Sequence, residues 1–436
     1  MTELFPCEPL GELVVSVSDT HPMSKDRLIF LNTSDIYGGK LLHKDYTQVA
    51  YWPGQAKKSV ALNDILFSEI RPANGRWALI KEPAEDIVVS TKLMVIRADP
   101  AKLLAEFLYL FVTSDNITGW LQHLAESRSG TFPQITFDQV ASLQIPLPPL
   151  PEQRRIAHIL GTLDDKIENN RKTAKTLEAM AQAIFKSWFV DFDPVRAKMA
   201  GESRENICKR LKLTPEILDL FPDRLVDSEL GEIPEGWGVG PLGSILNLRK
   251  EHCNTSEATI GRPYVPIECI SSKSLFLTES KSGLEAQSSL TKFNKDDILF
   301  GAMRPYFHKV CIAPFDGTTR TTAFVLYPKN ERDLAFGIFV MFNKDTIDYA
   351  TANSTGSTIP YAVWDKSLEN MSLIIPDEDI RAAFTGAIST LLNYATGISC
   401  YQLTQLKAIR DTLLPKLISG EICVPEAKHL IEEAEE

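Results

Sequence analysis

The stretch Asp64-Ile-Leu-Phe-Ser-Glu-Ile-Arg-Pro72 returns as Asp297-Ile-Leu-Phe-Gly-Ala-Met-Arg-Pro305, with six of nine positions identical. Other segments recur at nearly the same offset. Pro9-Leu10-Gly11 matches Pro241-Leu242-Gly243, and Ser90-Thr91 matches Thr321-Thr322. Thr131-Phe-Pro133 matches Thr358-Ile-Pro360, and Leu143-x-Ile-x-Leu147-Pro148 matches Met371-x-Leu-x-Ile375-Pro376. The chain therefore reads as two copies of one unit. The period is too long, and the copies too few, for a solenoid.

Both copies share one plan. Short β-rich runs (Asp86–Ser90, Leu93–Ile96, Ala323–Tyr327) alternate with Gly, Pro and Asn turns and with one helix-like stretch, Pro100–Thr113 or Asp333–Lys344. This predicts an α+β globular domain over residues 1–150 and another over 236–377. The proline-rich hinge Ile145–Pro151 stops upstream structure from continuing into a helix.

A long helix closes each copy. Over 151–190 the apolar steps run Ile156, Leu160, Leu163, Ile167, Asn170, Ala174, Leu177, Ala181, Ile184, Trp188, a heptad seam with one polar position at Asn170. Over 378–420 they run Phe384, Ile388, Leu391, Ala395, Ile398, then Leu403, Leu406, Arg410, Leu413, Leu417, with one extra residue near Gln402 shifting the phase. Pro415 and Gly420 mark its end. The second stripe finds its nearest partner in the first, which predicts an antiparallel two-helix coiled-coil spacer between two similar domains with pseudo-two-fold symmetry. Residues 191–235 read as a linker containing a short helix-like Ser203–Leu213, and 421–436 as a solvated acidic tail.

Composition narrows the classes. The chain is 44% hydrophobic and 24% charged, which is globular and not disordered. Its longest apolar run, near Leu334–Phe342, is far short of the roughly 18 residues that span a bilayer. The opening Met1–Cys7 carries an acid where a secretory signal has a basic region. The seven cysteines contain no C-x-x-C pair, which fits a reducing cytosol. A net charge of −11 argues against a general nucleic-acid coat, though not against a concentrated basic face. Two similar heads a fixed distance apart suit two half-sites on B-DNA, among other uses of a duplicated protein.

Four segments resemble the specificity subunits of type I restriction–modification enzymes: Pro146–Ile156, Ala183–Pro194, Gly231–Trp237 and Leu406–Gly420. The resemblance covers the whole chain, in the order target recognition domain, conserved helix, target recognition domain, conserved helix. One departure is Ile375-Pro-Asp-Glu-Asp-Ile-Arg381, which lacks the Pro-Pro-Leu-x-Glu-Gln form of the first hinge. The resemblance implies a non-catalytic, prokaryotic, cytoplasmic subunit that reads bipartite double-stranded DNA. Two modification subunits that methylate adenine and restriction subunits with translocase activity would dock on it. S-adenosylmethionine, ATP and Mg would sit on those partners, with no cofactor, metal or membrane contact in this chain.

The residues offer no competing chemistry. Pro148-Pro149 lies between Leu147 and Leu150, so it cannot be the Asn/Asp-Pro-Pro-Tyr/Phe grip of an adenine methyltransferase. No phosphate-binding G-x-x-x-x-G-K-S/T loop occurs, and Gly238-Val-Gly-Pro-Leu-Gly243 reads as a turn. Pro222-Asp223 and Pro376-Asp377 lack the acid-x-Lys partner of a metal nuclease, and no His pairs fall at i,i+4. A self-contained modification or restriction enzyme is thereby disfavoured. A two-headed protein scaffold without a DNA role stays open.

Bases are read by Arg, Lys, Asn and Gln, and phosphates by cations and small hydroxyls. The candidates in the first copy are Lys57, Lys58, Arg71, Asn74, Arg76, Arg128, Ser129 and Thr131. In the second they are Arg249, Lys250, Arg262, Arg304, His308, Lys309, Arg320, Ser357 and Thr358. Arg71 and Arg304 belong to the shared motif, which suits a structural or phosphate role better than base reading. Spacer and docking candidates are Pro148, Pro149, Glu152, Gln153, Leu160, Leu163, Ile167, Leu177, Ile184, Trp188, Phe189, Leu406, Leu413 and Leu417. Trp188, Phe189 and Phe192 cannot all face a two-helix seam, so some are expected to meet a partner subunit.

Overall fold

The segments that repeat in sequence are the ones that meet in space. In a computed structural model, which describes residues 4–128, 133–255, 261–286, 289–356 and 358–435, the strand Cys7–Pro9 pairs antiparallel with Gln144–Pro146, and Gly238–Pro241 pairs with Ser372–Ile375. The Leu10 N–H donates to the Leu143 carbonyl at 2.8 Å, and the Leu242 N–H to Met371 at 2.9 Å. Gly11 and Gly243 are needed for this approach. A Cβ at Gly11 would lie 3.1 Å from Ala141, and one at Gly243 would lie 3.1 Å from Glu369.

The chain divides into two compact units, residues 1–165 with 407–436, and residues 166–406. Unit one contains a sheet in the order Val14–Val17, Leu93–Ala98, Ile65–Ser68, Trp77–Leu79, all antiparallel. Unit two repeats it as Leu246–Leu248, Ala323–Pro328, Ile298–Gly301, Val310–Ile312. The repeated Ile-Leu-Phe runs are central strands buried at every residue, which is why they read as continuous apolar runs.

A second sheet in unit one runs Tyr46–Gln48, Arg27–Leu31, Ile87–Ser90, Ala56–Ser59, with a parallel pair in its middle. In unit two it runs Lys281–Ser282, Pro263–Tyr264, Gly317–Arg320, Leu290–Phe293, again with a parallel middle pair, and gains the edge strand His252–Cys253.

The first long helix is Leu150–Phe189, 40 residues, or about 60 Å at 1.5 Å per residue. Its seam positions Ile156, Leu160, Leu163, Ile167, Ala174 and Ala181 are buried. The second long element is Glu378–Thr396, a π-helical turn Gly397–Gln402, then Leu403–Ser419. The π turn accommodates the extra residue that shifts the phase of the second stripe. Upstream of that turn, Leu392 rather than Leu391 is the buried position. Leu406, Leu413 and Leu417 are buried as expected. The helix runs through Pro415 and ends before Gly420, at φ +83°.

Within unit two the helices are antiparallel. The Asn170 amide donates to Gln402 at 3.1 Å, while Phe185 packs on Phe384 with ring centroids 6.0 Å apart. The polar seam position thus faces the π turn. Within unit one, Arg410 pairs with Asp164 at 3.1 Å.

Three sequence expectations need correction. Residues 191–235 are no linker. They form helices Asp193–Met199, Arg204–Leu211 and Pro215–Leu220, then a hairpin of Leu225–Ser228 with Gly231–Pro234. Val195, Ile207, Leu218, Phe221 and Ile233 join the core of unit two. Their single apolar faces are masked in sequence by the surrounding Pro, Gly and acids. Trp188, Phe189 and Phe192 are buried in this same core rather than presented to a partner. Trp188 stacks edge-on against Phe221 at 5.3 Å, and Phe192 against Trp237 at 5.6 Å. The tail is not merely solvated either. It forms a helix, Val424–Glu435, that buries Val424 and Ala427.

Candidate nucleic-acid interface

The shared Arg-Pro builds the same turn in both units. Arg71 (φ +45°) and Arg304 (φ +53°) are left-handed, a strain of about 1–2 kcal/mol for a residue with a Cβ. Pro72 and Pro305 then fix φ for the single-turn 3₁₀ helices Pro72–Asn74 and Pro305–Phe307. Gly75 (φ +70°) and His308 (φ +52°) end them, left-handed again.

The other repeated motif holds this strained frame. The Arg71 N–H donates to the Pro133 carbonyl at 3.1 Å, and the Arg304 N–H to Pro360 at 2.8 Å. Each turn is therefore tied to the proline of the same repeated motif in its own unit. A cation latches the far side. Arg76 Nη1 donates to the Thr33 carbonyl at 2.9 Å, and Lys309 Nζ to the Ile267 carbonyl at 2.7 Å.

The middle residues of each turn face outward: Ala73 and Asn74 in unit one, Tyr306 and Phe307 in unit two. The Tyr306 and Phe307 rings lie 4.8 Å apart and are 48% and 46% exposed. The Arg71 side chain is exposed and that of Arg304 half-buried. Neither guanidinium has an ion pair or hydrogen bond among the described residues.

The other candidates differ in how far the fold already engages them. Lys57 and Arg262 are exposed. Lys58 is half-buried, donates to the Leu93 carbonyl at 2.8 Å, and burial pulls its pKa down. Arg76 and Lys309 are latches of the turn. Arg249 is engaged within its own unit, where Asp297 takes its guanidinium in a two-pronged pair at 2.8 and 3.0 Å. Lys250 pairs with Asp365 at 3.0 Å. His308 hydrogen-bonds the Phe342 carbonyl at 2.9 Å, and burial lowers its pKa. Arg320 lines a polar cleft with Tyr264, Glu268, Lys281 and Glu285. Arg128 ends the helix Asp115–Arg128. Its side chain, and Ser129, Thr131 and Ser357, lie outside the described residues, while Thr358 is exposed.

Of the hinge candidates, Gln153 is engaged by its own domain. It is 1% exposed, accepts from the Leu104 N–H at 2.7 Å and donates to the Lys102 and Pro148 carbonyls at 2.9 Å, so it ties the helix to its own domain. Glu152 pairs with Arg155 one turn along. Tyr306 and Phe307 are neither cations nor amides, so they are not among the sequence candidates. Their only signal is that they replace Ala73 and Asn74 inside an otherwise shared turn.

Among the described residues, no cluster of three or more His, Cys, Asp or Glu is placed to hold a metal ion. No described helix is long and apolar enough to cross a membrane.

Over 435 aligned residues the chain is 32% identical to the type I restriction enzyme HindI specificity subunit of Haemophilus influenzae, covering 91% of this chain and 94% of that one. The chain belongs to the family of type I restriction enzyme specificity subunits. It is also 28% identical over 343 residues to the MjaIX specificity subunit of Methanocaldococcus jannaschii, covering 74% of this chain and 70% of that one. Residues 29–179 match the type I restriction modification DNA specificity domain. Among solved structures, the S subunit of a type I restriction-modification system from M. genitalium superposes with a TM-score of 0.55 at 16% identity, covering 96% of each chain. That likeness supports the shared α+β fold.

Proposed function

We propose that this chain is the DNA sequence-recognition subunit of a type I restriction–modification complex, each unit reading one half-site of a bipartite target. Family membership supports the recognition role. The observation that carries the division of labour is the pair of turns, identical in frame and different in exposed side chains, within one chain. Modification subunits that methylate adenine, two per complex, and restriction subunits dock on this chain. They supply S-adenosylmethionine, ATP and Mg, and this chain performs no catalysis of its own. A net charge of −11 repels a polyanion, so the partners also supply part of the phosphate neutralisation.

The test is a domain exchange. Residues 1–145 are replaced by the matching segment of a relative with a different target, and methylated adenines are mapped after assembly with the modification subunit. One half-site should change and the other persist. Both changing, or neither, would refute the division between units.

A further inference from the structure

A chain that reads two sequences with one fold needs a constant frame carrying variable contacts. The Arg-Pro turns have that form. Both ends are left-handed, both arginine N–H groups bond the proline of the same motif, and both cationic latches reach a carbonyl in a 3₁₀ turn. Between these fixed points only two outward residues differ. Because the frame is over-determined, those side chains are presented in a fixed place with little entropy left to lose on binding.

Their chemistry suits DNA in two different ways. The Asn74 amide offers a donor and an acceptor, the pattern that pairs with an adenine edge in the major groove. The two rings of Tyr306 and Phe307 present an exposed apolar pair, which fits thymine methyl groups or a partly opened base step. Beside each pair stands an arginine with no partner among the described residues, common to both units and so suited to phosphate, which carries no sequence.

We propose that Ala73–Asn74 and Tyr306–Phe307 are the specificity-determining contacts of the two half-sites, and that Arg71 and Arg304 anchor the adjacent phosphates. This rests on the DNA-recognition reading above and adds to it the residues that choose the sequence.

The experiment uses the full chain assembled with its modification subunit. The substrates are two duplex pools, each with one half-site randomised, and methylated sequences are counted. Tyr306→Ala with Phe307→Asn should shift preferences within the second half-site by about tenfold or more, the size of one good base contact, and leave the first unchanged. The reciprocal graft, Ala73→Tyr with Asn74→Phe, should move only the first. Arg304→Ala should weaken methylation evenly across sequences and reduce the log–log salt slope by about 1.

Tip variants that keep the wild-type ranking, or lose methylation evenly on every sequence, overturn the inference while the recognition reading stands. A wild-type complex with no preference in either pool overturns the recognition reading itself. If the unit-two variant fails to assemble, the graft on unit one decides by the same criterion.

Discussion

In unit one, the aspartate that opens the central strand, Asp64, is fully buried and gripped by Arg97 at 2.7 Å on both oxygens. In unit two, Asp297 holds the same place but its arginine is Arg249. The strand registers make Arg97 equivalent to Tyr327, and Val17 equivalent to Arg249. The cation has thus changed strands, and Tyr327 lies under the incoming guanidinium at 4.7 Å. Each carboxylate also accepts a backbone N–H, from Ala61 at 2.8 Å or Asn294 at 2.7 Å. What both units retain is a neutralised buried carboxylate capping the turn before the strand; which strand neutralises it is free to vary.

The largest effect should come from breaking that pair. Arg249→Val strands Asp297 in the core of unit two and should cost about 3–5 kcal/mol. Arg97→Val should cost less, since the Arg97 side chain is 43% exposed against 15% for Arg249, and water can replace it. Adding Tyr327→Arg to Arg249→Val installs the unit-one arrangement and should recover much of the loss in thermal unfolding. A double variant no more stable than the single one would show that the two arrangements are not interchangeable.

The hinge gives a second contrast. By position from the hinge proline, Gln153 corresponds to Arg381. Gln153 donates to the Pro148 carbonyl at 2.9 Å, and Arg381 donates to the Pro376 carbonyl at 3.0 Å. Gln153 then ties to backbone, while Arg381 pairs with the buried Asp333. The second hinge lost the Glu-Gln form without losing the tie. Gln153→Ala leaves three backbone groups without their partner and should destabilise unit one by about 2–3 kcal/mol. Gln153→Arg, lacking an acid like Asp333, should not rescue it. Recovery of the wild-type melting temperature by Gln153→Arg would mean that the carbonyl bond alone carries the tie.

These contrasts show what was legible. The duplication, both long helices and the extra residue near Gln402 follow from spacing, because heptad and repeat are one-dimensional patterns. The fate of Trp188, Phe189 and 191–235 does not, because each short helix there has too few apolar residues to reveal a face until its partners are assembled. Arg249 and Lys309 were legible as cations, but the groups that engage them were not. Those partners, Asp297 and the Ile267 carbonyl, lie 48 and 42 residues away in sequence. The turn tips are not legible because neither Tyr306 nor Phe307 carries the charge or amide that marks a polar contact in sequence.

The smallest predicted effect concerns how the first long helix grips each unit. In unit one the grip is Gln153, a neutral amide. In unit two it is Glu178, buried, which accepts from the Leu275 N–H at 2.8 Å. Burial raises the Glu178 pKa, opposed by the Leu275 N–H, by the Ser274 and Gln182 side chains and by the nearby Lys175 charge. A carboxyl whose pKa is raised by folding adds stability below its unfolded value, near 4.5, and loses it as pH rises through the folded one. Unit two should therefore lose a contribution as pH climbs out of the ordinary carboxylate range, while the unit-one grip does not titrate. Glu178→Gln mimics the neutral form, so it should raise the melting temperature of unit two at pH 7 and lose that advantage below pH 4.5. Melting curves of both proteins across pH 4–7 provide the check. A lower melting temperature for Glu178→Gln at pH 7 would mean that the hydrogen bonds to the carboxylate outweigh its desolvation, and that the contrast between the two grips is one of geometry alone.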